Sequence, residues 1–268
     1  MFNTTLFFKE MKQGFLQFAI WTLCIVFTLM VCVFIYPEMA KDAEMIEEMN
    51  QMFADMGEFS KAFGMDTLNM GDIVGYYAVE CASTLGIGGG LFAALIGIGA
   101  LSSEEKNKTA EFLLAHPISR TKIISSKYIA VLLQVIMLNL AVVGGCLGAS
   151  LIIGEDLMCK EFFLIHLANL LLQIEIASIC FAISAFQRKS NIGLGIGLAL
   201  GMYFLNIICN MYEDAKLIKY ITPYAYTEAS KIVENQSLDT NLVVAGMVVA
   251  LVFVIAAYIK YSKKDIYC

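Results

Sequence analysis

FLQFAIWTLCIVFTLMVCVFIY, residues 15–36, decides the fold: the stretch holds no charged side chain. A helix crossing a bilayer needs about 20 mostly apolar residues, because the hydrocarbon core is about 30 Å thick and each residue rises ~1.5 Å. Outward from this stretch the pattern repeats at 81–101, 128–154, 190–212 and 240–259, all uncharged, and at 162–187, where Glu175 is the one charge. A soluble chain of 268 residues has too small a core to cover six helices that are apolar all round. Composition agrees, with 59% hydrophobic and 16% charged residues, against ~25% charged in soluble domains. The expected fold is an all-α membrane protein with six transmembrane helices. It forms a single domain over 1–268, with spans at 15–36, 73–101, 128–153, 162–187, 190–212 and 240–260.

Orientation follows from lysine and arginine placement. Both termini and the loop 102–127 fall on one side, which collects 12 of the 18 basic residues against five acids. The opposite side has six basic and 17 acidic residues, with Glu80 and Glu175 left inside the membrane. The termini are therefore expected to be cytoplasmic, in a multi-pass protein of the cell membrane. The net charge of −6 averages two oppositely charged faces and implies no nucleic-acid partner. Lys9 and Lys12 precede the first apolar run as in a signal peptide, but that run exceeds the ~7–15 residues of a signal core. Six of the eight cysteines lie in or at the edge of apolar runs and there is no CxxC, so they read as packing residues.

Residues 3–14 pattern as an interfacial helix, with Phe7, Phe8, Met11 and Phe15 on one face and Lys9, Glu10 and Gln13 opposite. The acidic segment 38–72 repeats Met45, Met49, Met52, Met56, Phe59 and Phe63 at spacings of four and three, an amphipathic outer helix. No histidine or cysteine accompanies those thioethers, so no metal is expected. Small residues allow close helix approach in lipid. Gly86 and Gly90 in the second span, and Gly193, Gly197 and Gly201 at strict four-residue spacing in the fifth, are the candidates. In the fourth span His166, Asn169 and Gln173 share one helix face and Glu175 lies opposite. Polar groups on two faces place this helix in the bundle interior, and intramembrane acids are candidates for a substrate pathway. Glu80 is close enough to the outer interface for its carboxylate to reach water. Residues 220–234, broken by Pro223, read as a re-entrant or interfacial segment.

The loop 102–127 carries the chemistry of recognition. Glu104 to Ala115 fits a short helix with Phe112, Leu113 and Leu114 as its apolar patch; Pro117 ends it and Ser119 suits the N-cap of a basic helix beginning at Arg120. EEKNKTAEFLLAHPISRTKIISSKY (104–128) resembles the loop of ABC-2 type permeases, the membrane subunits of bacterial ABC exporters. FAIWTLCIVFTLMVCVFIYPEMA (18–40), SKAFG (60–64) and ITPYAYTEASKI (221–232) resemble further parts of that family, so the resemblance covers nearly the whole chain. The chain departs at Thr109-Ala110, where Gly-Thr is commoner. The resemblance implies a type V exporter-like transmembrane domain. Glu104, Glu105, Phe112, Leu113, Leu114, Pro117, Ser119 and Arg120 would form a cytoplasmic coupling helix seated on an ATPase subunit. It also implies a second permease chain, identical or homologous, and export of a peptide, drug, lipid or ion.

Independently, no lysine follows a glycine, so no phosphate-binding loop of the GxxxxGK type is present. With two histidines and no HExxH, catalytic residues, metal ligands and cofactors are not expected here; the resemblance implies that ATP and magnesium are bound on the partner subunit. Two alternatives use the intramembrane acids differently. One is a secondary transporter with Glu175 and His166 as an ion relay, the other a non-transporting scaffold.

Overall fold

The computed structural model describes residues 2–65, 67–106, 118–188, 191–212 and 218–264. Among the described residues, six helices are long and apolar enough to cross a membrane: α1 (Thr4–Ala40), α4 (Ile73–Gly99), α6 (Arg120–Ile153), α7 (Lys160–Phe186), α8 (Ile192–Met211) and α10 (Thr240–Ser262). Between them lie the shorter helices α2 (Ala43–Asp55), α3 (Glu58–Ala62), α5 (Ser103–Lys106) and α9 (Ala229–Asn235), and a 3-10 turn at Pro223–Thr227. The described residues contain no strand.

α7 is the central helix. It packs against α4, α6, α10 and the 3-10 turn, and both of its polar faces are covered. α1 lies along α6, and α8 closes on the C-terminal half of α4. The buried side chains form two clusters along the bundle, one around Tyr77, Leu138 and Phe162, the other around Ile98, Ile124 and Phe181.

Three elements differ from the pattern-based expectation. The separate interfacial helix at 3–14 is one: α1 runs unbroken from Thr4 to Ala40. A single glycine costs a helix only ~1 kcal/mol, so Gly14 does not break it, and the first turns are held by α6. The Asn3 N–H donates to Ser126 Oγ at 2.8 Å, that hydroxyl donates back to Asn3 O at 3.1 Å, and Leu6 is buried. The second is the outer segment, which is two helices rather than one. Gly57, at φ +51°, turns the chain between α2 and α3, so the methionine stripe is divided. Met49 and Phe53 pack on the core while Met45, Met52, Met56 and Phe59 stay exposed. The third is α4, whose α-helical halves Ile73–Cys81 and Gly89–Gly99 flank a π-helical stretch at Ala82–Gly88. Such wide turns cluster at functional positions in helices.

Candidate functional site

The base of the long loop is a knot of charge. Ser119 caps α6, its hydroxyl accepting from the Lys122 N–H. The helix thereby begins at Arg120, whose Nη1 donates to three carbonyls at the end of α10: Tyr261 (3.3 Å), Ser262 (3.2 Å) and Lys264 (2.5 Å). Two turns on, Lys127 has no exposed side-chain surface and pairs with Glu10 of α1 at 2.9 Å and Glu104 of α5 at 2.5 Å. Glu105 pairs with Lys264 at 2.5 Å, and Lys264 Nζ donates to Gln187 O just past α7 at 2.6 Å. The neighbouring acids at the loop start therefore reach different helices, Glu104 towards α1 and α6, Glu105 towards α10 and α7. Arg120, Glu104 and Glu105 face inward to the bundle rather than outward, while Ser119 is exposed. Phe112, Leu113, Leu114 and Pro117 lie outside the described residues.

Higher in the bundle, α7 presents its two polar faces to two shelters. On one, His166 Nε2 and Tyr77 Oη share a 2.9 Å hydrogen bond, Asn169 Nδ2 donates to Ile165 O at 2.9 Å, and Gln173 Oε1 accepts from Asn139 Nδ2 at 2.7 Å. On the other, Glu175 is 1% exposed and accepts from Tyr226 Oη of the 3-10 turn at 2.9 Å. Glu175 also fills the space over Gly246 of α10. Glu80 is half-buried in the N-terminal part of α4 and accepts from Cys32 Sγ at 3.6 Å. Thus His166 and Glu175 each have their own tyrosine, on opposite sides of one helix.

The glycines divide by face. In α4, Gly86 lies beside Asn169, and a Cβ at Gly90 would collide with the Tyr224 hydroxyl. In α8, a Cβ at Gly197 or Gly201 would meet none of the described neighbours within 4 Å, and one at Gly193 would meet only Asn191; all three are exposed. The glycine of α8 that packs within the chain is Gly195, against Ile98. A shift of two residues turns a helix by about 200°, which sets the four-residue stripe on the outer surface.

Sequence reasoning missed Glu10, Lys127, Lys264, Tyr77 and Tyr226. Lys127 was visible only as one basic residue beside a span. Its partners lie 117 and 23 positions away in the chain, and no local pattern links them.

The six-span bundle, the organised loop base and the PISR sequence at 117–120 agree with the comparison to known proteins. The profile of the ABC-2 family transporter proteins matches residues 4–266. The chain belongs to the ABC-2 transporter family. It is also 25% identical, over 202 residues, to the uncharacterized protein YhcI of Bacillus subtilis (strain 168), covering 66% of this chain and 64% of that protein. The chain therefore spans a little under two thirds of that relative's length. As an ABC-2 family protein it is a multi-pass transporter membrane protein of the permease type.

Proposed function

We propose that this ABC-2 permease is the membrane half of an ATP-driven exporter, with both termini and the loop 102–127 cytoplasmic. ATP and magnesium are bound and hydrolysed on a separate ATPase subunit. A twofold pair of permease chains, identical or homologous, sits on two such subunits, since closed twofold assemblies are the usual solution. The observation that carries this reading is the ion-paired loop base. Through Lys127, Glu104, Glu105, Arg120 and Lys264 the two ends of the loop are tied to α1, α6, α7 and α10. A partner that pushes the loop therefore pushes four spans together. An effector shifts a conformational equilibrium only through contacts that differ between its states, and charge-paired anchors give such a push a rigid path.

The test is co-purification with an ABC-type ATPase subunit co-expressed with this chain. Leu114→Asp places a charge in the proposed apolar contact, so it should lose the ATPase and transport while six-span insertion persists. Retained association and transport would remove the coupling assignment. The ion-relay alternative is disfavoured by distance. Nine residues separate His166 from Glu175, about 13 Å along the helix axis, and their hydrogen bonds point to different neighbours.

A further inference from the structure

Where the ends of α7 and α10 meet the loop base, a groove of about 390 Å³ opens on the lateral surface of the bundle. It is lined by Phe186 of α7 and by Ala256, Ile259, Lys260 and Lys263 of α10. Lys260 Nζ stands 5.4 Å from the centre of the Phe186 ring, so one cation bridges the two helices. Phe186 and Ile259 are each more than half exposed, and on spanning helices such a surface faces hydrocarbon. The cover it calls for is an acyl chain. At its polar end the lining carries two lysines and no acid.

That positive charge is not cancelled. Lys260 and Lys263 are exposed neighbours on one helix face, three residues apart, and neither pairs with a carboxylate among the described residues. The acids of the loop base are committed elsewhere. Glu10 and Glu104 hold Lys127, Glu105 holds Lys264, and none of the three side chains is more than 15% exposed. Lys189 and Asp265, opposite in charge, lie outside the described residues. A helix C-terminus ordinarily repels an anion, because its last carbonyls are unsatisfied. Here Arg120 donates to the carbonyls of Tyr261, Ser262 and Lys264, and the Lys263 N–H donates to that of Lys260. A guanidinium thus covers the negative end of α10.

We propose that this groove binds one anionic phospholipid from the leaflet nearest the loop, with an acyl chain along Phe186, Ala256 and Ile259 and the phosphate between Lys260 and Lys263. A zwitterionic lipid with the same chains offers the same hydrocarbon but brings a cation of its own to the two ammonium groups. Lys264, the next residue, holds Glu105 at the loop start, so the bound lipid clamps α7 and α10 directly beside the loop base. The inference needs the six-span bundle and not the exporter reading.

The purified full chain, delipidated in a neutral detergent, is titrated with phosphatidylglycerol and with phosphatidylcholine of identical chains, and bound lipid is counted by native mass spectrometry. Each surface lysine favours an anionic lipid by about fivefold. The first phosphatidylglycerol should therefore bind roughly tenfold or more tighter than phosphatidylcholine, and raise the melting temperature further. Lys260→Ala with Lys263→Ala should remove both differences. Lys9→Ala with Lys12→Ala, an equal loss of charge, should keep them. Ala256→Phe, which fills the groove, should weaken both lipids. Equal binding of the two lipids, a preference lost equally in the Lys9 and Lys12 variant, or undiminished binding to Ala256→Phe overturns the proposal. So does displacement of the lipid by inorganic phosphate at a comparable concentration, because the lysines then act without the groove. None of these outcomes touches the ATPase coupling, which Leu114→Asp tests separately.

Discussion

Lys127 lies without solvent between glutamates contributed by α1 and α5. Removing one partner of a buried charge cluster leaves the others unpaired in a poor solvent, at a cost of roughly 3–5 kcal/mol. Lys127→Met should therefore lower the free energy of denaturant unfolding in micelles by that amount. Adding Glu10→Gln and Glu104→Gln should return most of it, because the stranded charges are gone. Glu175 offers a milder contrast. Glu175→Gln keeps an acceptor for the Tyr226 hydroxyl and should leave thermal stability near that of the native chain. Glu175→Leu strands that hydroxyl and should cost about 1–3 kcal/mol. The sequence made Glu175 visible because a lone acid inside an apolar run needs shelter. It could not identify Tyr226, 51 positions away, as the shelter.

At the scale of the helix, two glycines in small-residue rows of similar appearance are predicted to behave oppositely. A Cβ on Gly97 of α4 would stand 2.6 Å from the Ala177 carbonyl oxygen of α7. Backbone cannot yield as a flexible side chain can, so Gly97→Ala should destabilise the α4–α7 pair by about 1–3 kcal/mol. A Cβ on Gly197 of α8 would meet none of the described neighbours within 4 Å, so Gly197→Ala should leave the isolated chain as stable or slightly more so. Chemical unfolding of the two variants side by side checks both signs. Composition alone could not separate the rows, since spacing gives periodicity but not which face meets which helix. The spans themselves were legible because a bilayer imposes a length that few other folds satisfy. The two polar faces of α7 likewise demanded two packed sides. The continuity of α1 was not legible: its first turns look amphipathic, and α6 decides whether they lie flat or stand.

For the whole molecule, the alternation of six spans fixes which loops share a side. On a background without native cysteines, Asn50→Cys should react with an impermeant maleimide from outside intact cells and Asn107→Cys only after lysis; the reverse would invert the topology. The thickness of the bundle also sets a problem of phase that the wide turn in α4 reduces. Tyr77 meets His166 near one end of α7, and Gly97 meets Ala177 near the other. Twenty residues of uninterrupted α-helix rotate by five turns and about 200° more, which would aim these contacts in nearly opposite directions. The seven π-helical residues from Ala82 to Gly88 wind more slowly, which takes up part of that difference in phase between the two halves. A single-residue deletion at Gly88 should therefore act as a frameshift in rotation. Either end of α4 can still dock on α7, but not both, and the melting temperature should fall well beyond that of Gly88→Ala.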